Sequence, residues 1–151
     1  MTLSELISEE NRLMLPRFDE ASAFTLGAIL LAYARDESLP VVINIRTADR
    51  TLFHAALPGS APLNDAWARR KSNVALMFQK SSMRVGMELR DKGGSLAKEG
   101  LPEADFADHG GAVPIRVAGA GMVAVATVSG LPSRDDHALV VRGLEALLAA
   151  I

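Results

Sequence analysis

The strongest chemical signals in this chain are three histidines, one tryptophan and the basic run Arg69-Arg70-Lys71. The run sits in the stretch NDAWARRK, just beyond the segment FHAALPG that carries His54. At about 100° per residue, Trp67, Val74 and Phe78 fall on one stripe of a helix. Lys71 lands inside that stripe, Arg70 lies at its border beside Met77, and Arg69 points the opposite way. A cation on an apolar face loses hydration and needs a negative partner. Two arrangements meet that need. The basic side chains can snorkel to solvent or to a carboxylate of the chain. Alternatively they line a partly buried anion site, in which a ligand carboxylate or phosphate supplies the charge.

The histidines carry a second set of possibilities. His54 alternates with Leu52 and Ala56, which predicts a place on the buried face of a strand. His137 lies on the stripe of Val141, Leu144 and Leu148, in the first turn of the last helix. There the positive end of the helix dipole favours a neutral imidazole, able to accept a proton or bind a metal. His109 immediately precedes Gly110-Gly111. The three lack the spacing of a metal-ligand set. Gly110-Gly111 and Gly119-Ala120-Gly121 serve first as turns, and neither matches a phosphate loop or a dinucleotide fingerprint. There is no G-x-S-x-G and no acidic metal cluster, and Asp135-Asp136 is accounted for by helix capping.

These residues need elements to hold them. Residues 3–14 read as a short helix, followed by a longer one with Asp19 as N-cap and Phe24, Ala28, Leu31 and Ala34 on its apolar face. VVINIRT (41–47) and RTLFHAA (50–56) read as a hairpin turning at Ala48-Asp49. Asn64 caps a helix through about Lys80, and Ser81 or Ser82 caps a further one that stops at Gly93-Gly94. A loop covers roughly 93–112. VPIRVA (113–118) and MVAVATVSG (122–130) form a second hairpin, whose apolar second strand implies cover on both faces. Ser133 caps the final helix, with Asp136 reciprocating. Both strand connections are too short for parallel crossovers, so the sheet is mainly antiparallel in an α+β fold.

Composition bounds the rest. The 151 residues fit a single domain, 49% hydrophobic and 23% charged, with a net charge of −2 and no cysteine. Disulfides, thiolate metal sites and a cysteine nucleophile are excluded. So small a negative charge gives no field for nucleic acid or an anionic membrane, and five Phe, one Trp and one Tyr are too few for a base-stacking platform. The acidic N-terminus lacks signal-peptide character and no apolar run spans a membrane, so the expected location is the cytoplasm. The final helix carries apolar residues on more than one face, Leu139 to Ile151, which predicts a homodimer or larger closed ring.

FHAALPG, NDAWARRK, HGGAVPI and VSGLPSRDDHALVV, in this order, resemble the GlcG/HbpS-like haem-degrading family, and most of all a branch of short cytoplasmic proteins of unsettled activity. The resemblance runs from about Asp19 to Leu148. It implies one profilin-like domain over 1–151, an antiparallel sheet flanked by helices, and assembly into dimers or rings. It also implies haem as a candidate cofactor, since some relatives bind and degrade it. The residues then fit two functions. One is a protein, an enzyme or a simple binder, that holds a small anionic ligand among His54, Trp67, Arg70, Lys71, His109, Gly110, Gly111 and His137. The other is a non-catalytic oligomeric scaffold whose basic residues make salt bridges between subunits.

Overall fold

The structure is a computed structural model covering residues 1–151. Five helices and five strands follow one another as α1 (Leu3–Arg12), β1 (Met14–Leu15), α2 (Glu20–Asp36), β2 (Val42–Arg46), β3 (Thr51–Ala56), α3 (Pro62–Phe78), α4 (Ser82–Asp91), β4 (Ala112–Val117), β5 (Gly121–Ser129) and α5 (Ser133–Ala150). The sheet order is β1-β4-β5-β2-β3. Both hairpins form, and β2 pairs antiparallel with β5 as well. The exception is β1, which lies parallel to β4 over two residues too short to register as a strand in the sequence. The fold is α+β with a mainly antiparallel sheet, as expected.

β5 shows how the two faces divide. Ala124 to Ser129 are all buried, and successive side chains point to opposite sides. Ala124, Ala126 and Val128 join the main core, where α2 and α5 close on the sheet with Ile43, Ile45, Val113 and Ile115. Val125, Thr127 and Ser129 face α3. That side is more polar: Val125 packs with Ala75 and Ala112, and Ser72 and Thr127 share a hydrogen bond of 2.7 Å. Beyond it, Val74, Val85, Leu89 and Leu96 make a small satellite core under α4.

Four local expectations shift. The buried face of α2 is Ala23, Leu26, Gly27, Leu30 and Ala34, which leaves Phe24 66% exposed. Periodicity alone could not choose between two adjacent apolar stripes on so hydrophobic a helix. α3 begins at Pro62, whose fixed φ suits the first helical position, so Asn64 sits three residues after the cap and accepts from Ala61 N at 2.8 Å. Pro132, not Ser133, occupies the cap of α5. The apolar residues of α5 are interior: Leu139, Val140, Val141, Leu144 and Leu147 are buried within the chain against α2 and the sheet. That removes the reason for placing a subunit contact on this helix.

Candidate functional site

Lys71 is the organising residue. It is 2% exposed, and its Nζ donates to Asp136 Oδ2 at 3.0 Å, Val128 O at 2.7 Å and Gly110 O at 3.1 Å. Three N–H donors therefore meet three acceptors, and the negative partner demanded by the sequence belongs to the chain itself. Burial pushes Lys71 below the ordinary lysine value, against the pull of Asp136. Burial likewise pushes Asp136 above the ordinary carboxylate value, against the pull of Lys71. The other oxygen of Asp136 accepts from Leu131 N at 2.9 Å, so one side chain both closes the start of α5 and neutralises α3. The two glycines make room for this. A Cβ on Gly111, at φ +140, would collide with Lys71 Nζ, and one on Gly110 would stand 2.6 Å from Ser133 O.

Above this pair opens a cleft of about 360 Å³, lined by Trp67, Lys71, His109, Ser129, Ser133 and Asp136 together with Asn64, Gly130 and Leu131. A second cleft, about 270 Å³, lies on the other side of Trp67 and His109, with apolar walls from Leu96, Leu101 and Phe106 and with Arg70 at its edge. The partition between them is the Trp67–His109 pair, packed edge to face with ring centroids 5.3 Å apart. Arg70 places its guanidinium 4.4 Å from the Trp67 ring and donates from Nε to Glu103 O at 2.9 Å. The long loop is thereby tied down on α3, helped by Ala107 N to Arg70 O at 3.1 Å and by Asn73 Nδ2 to Asp105 O at 2.8 Å.

The three histidines separate sharply. Arg46 Nε donates to Asn44 Oδ1 at 2.8 Å, which leaves the Asn44 amide nitrogen to donate to His54 Nδ1 at 3.0 Å. His54 Nε2 then carries the proton and donates to Asp65 Oδ1 at 3.0 Å. Contrary to expectation, His54 is exposed, on the opposite side of the edge strand from Phe53 and the main core. It joins β3 to the first turn of α3 and lines neither cleft. His137 is buried, as its stripe predicts, but its Nε2 donates to Glu9 Oε1 at 2.7 Å and Nδ1 has no partner. It clasps α1 and also lines neither cleft. His109 alone has both ring nitrogens free of internal hydrogen bonds, and it borders both clefts. Ser129, 3% exposed, likewise has no internal partner for its hydroxyl.

The sequence-predicted set is thus brought together in part: Trp67, Arg70, Lys71, His109, Gly110 and Gly111 converge, while His54 and His137 stand apart. Asp136 and Ser129 were missed as site residues. Asp136 had a readable signal, since it shares the buried face of Val140, Gly143 and Leu147. The test that singled out Lys71 on α3 would have singled out Asp136 on α5. Ser129 had none, because a serine near the end of an apolar strand looks like the start of a turn.

The fold that carries this site is shared with known proteins. The family model of the haem degrading protein HbpS-like proteins matches residues 18–145, and the chain belongs to that family. Its similar relatives include a UPF0303 protein of Acidobacterium capsulatum, 47% identical over 152 residues that cover 97% of this chain and 92% of the relative. A UPF0303 protein of Streptomyces coelicolor is 46% identical over 145 residues, covering 95% and 92%. Among solved structures, the Ybr137w protein superposes with a TM-score of 0.90 at 32% identity, covering 99% of this chain and 89% of that one. HbpS gives a TM-score of 0.70 at 20% identity, covering 87% and 90%. A PduOC:heme complex gives 0.70 at 17%, covering 89% and 94%. At such identities the last two establish the fold alone. No helix is long and apolar enough to cross a membrane.

Proposed function

We propose that this protein binds a small anionic ligand with a planar portion at the Trp67–His109 partition. The observation that carries the reading is the free imidazole of His109, packed edge to face with Trp67 where two clefts meet. An indole face, an unpartnered imidazole and the unpartnered Ser129 hydroxyl give stacking and directional contacts of the kind that small-molecule sites concentrate. Arg70, held over Trp67, is the cation nearest the apolar second cleft. Lys71 is a positioning residue in this scheme, because its three protons are already committed.

Haem is the particular ligand that the family suggests, and the residues fit it. His109 is the imidazole able to serve the iron, Leu96, Leu101, Phe106 and Trp67 are apolar walls, and Arg70 suits a propionate. The bound group would supply redox chemistry at its iron. The chain would supply ligation, exclusion of water and charge neutralisation. Titration with haem should shift the Soret band, His109→Ala should abolish the shift, and His54→Ala should leave it intact. A spectrum identical to free haem would remove haem, and a thermal-shift series of small carboxylates and phosphates would then decide for or against the wider anion reading.

The second reading, a non-catalytic scaffold, cannot use the basic residues for salt bridges between subunits and rests on a different role for them. The basic residues are spent inside the chain, Lys71 on Asp136, Arg69 on Asp105 and Arg70 on Glu103 O. If neither haem nor any small anion raises the melting temperature, that structural use is their whole role.

A further inference from the structure

At the start of α5 the chain leaves donors unspent. Ser133 and Arg134 are the first two residues of this 18-residue helix, and neither backbone N–H is bonded within the chain, whereas those of Asp135 and Asp136 both go to Pro132 O. The cap residue is Pro132, and no side chain caps them. An open helix end alone signifies little, since water satisfies it. Beside it, however, lies Ser129, 3% exposed and without a partner for its hydroxyl, although buried polar groups are as a rule bonded. His137 Nδ1 is the one fully enclosed side-chain polar atom lacking a partner. The Ser129 hydroxyl therefore opens into the first cleft, which it lines together with Ser133. His109 is brought to the same place by Gly110, where a Cβ would stand 2.6 Å from Ser133 O.

We infer that the start of α5 seats the carboxylate of a planar organic acid of one or two rings, whose ring lies against Trp67. This rests on the ligand reading of the Trp67–His109 partition and adds to it the seat and the charge of the ligand. The adjacent Ser133 and Arg134 amides present two donors to the two carboxylate oxygens, and Ser129 Oγ and a ring N–H of His109 supply others. Charge decides between a carboxylate and a phosphate. The charged lining of the cleft is Lys71 and Asp136, an ion pair that cancels. What remains is the helix end, worth about half a positive charge. Asp135, in the same turn, is answered only at 4.0 Å, by Arg134. Such a field comes near to balancing one negative charge and leaves a phosphate dianion in excess. A cleft of about 360 Å³ stands at the small end of ligand sites, which limits the body to one or two rings.

The chain has one tryptophan, so its fluorescence reports the site directly, and calorimetry gives the dissociation constant. Benzoate should change the Trp67 emission, and its neutral counterpart benzamide should bind about tenfold more weakly or worse, the scale of hydrogen bonds to a charged group. Phenyl phosphate at about pH 8, where it is a dianion, should also bind more weakly than benzoate. Ser129→Ala should raise the benzoate dissociation constant about tenfold and leave the Tm of the free protein unchanged, because the hydroxyl holds nothing within the chain. Ser133→Pro should weaken binding more than Ser133→Ala, since it deletes the N–H as well as the hydroxyl. Proline suits the first helical position, and Pro132, at φ −51 and ψ 143, already has the conformation that a following proline requires. Phenyl phosphate binding more tightly than benzoate overturns the choice of a carboxylate. Benzoate binding that Trp67→Leu abolishes in the calorimeter, but that Ser129→Ala and Ser133→Pro leave unchanged, overturns the seat and leaves the wider ligand reading standing. If no anion alters the fluorescence or the heat, the wider reading falls and the seat falls with it.

Discussion

Replacing Lys71 by methionine keeps the length of the side chain and deletes its charge. Asp136, 3% exposed, would be left with the single donor at Leu131 N, and Val128 O and Gly110 O would each lose one. Breaking a buried ion pair from one side costs about 3–5 kcal/mol, because the surviving charge stays buried. For a chain of this size each kcal/mol moves Tm by about 2–4 °C, so a fall of about 6–20 °C is expected. The sign with pH is also fixed. Burial already raises Asp136 above its ordinary value, and without Lys71 it should take up a proton more readily still. The deficit should be largest near neutrality and shrink as the pH falls and the carboxyl is neutralised. Lys71→Met with Asp136→Leu should recover much of the loss, since no unpaired charge remains. Urea unfolding near neutral pH and at mildly acidic pH measures all of this. A loss below about 1 kcal/mol, or one unchanged by acid and by the second substitution, would refute the account of Lys71 as internally satisfied.

Gly111→Ala should cost about 1–3 kcal/mol or more through strain at its positive φ and the collisions with Lys71 Nζ and the Val128 carbonyl, and denaturant unfolding should show a cost reduced but not removed in a Lys71→Ala background. Arg69→Ala should change stability by no more than about 1 kcal/mol, because the pair with Asp105 is half-exposed on both sides. Leu144→Ala should cost about 2–5 kcal/mol as a core truncation, lowering Tm without changing the particle mass, because Leu144 packs inside the chain. Burial pushes Glu88 upward, yet hydrogen bonds from Lys80 and Arg84 bring it below its ordinary value of 4.5. A depressed carboxyl contributes stability that is complete above that value and is lost as pH falls through the folded one. Glu88→Gln should therefore flatten the acid limb of a Tm-against-pH curve.

The sequence by itself determined the α+β class, both hairpins, the burial of β5 on two faces and the anomaly of a lysine on the apolar side of α3. Each is a local signal, carried by alternation, helical period or turn residues within a few positions. Tertiary structure alone decided which partner answered the anomaly. Asp136 lies far along the chain from Lys71, and the two meet only because α3 and α5 approach the end of β5 from opposite sides. It also decided which of two apolar stripes on α2 turned inward, leaving Phe24 outside. The same packing assigned the histidines, with His54 fixed by Asn44 and Asp65, His137 by Glu9, and His109 left free. The sequence places them on a strand, in a loop and in a helix's first turn but cannot say which is free, because what an imidazole can do depends on which groups the fold brings within hydrogen-bonding reach of its two nitrogens.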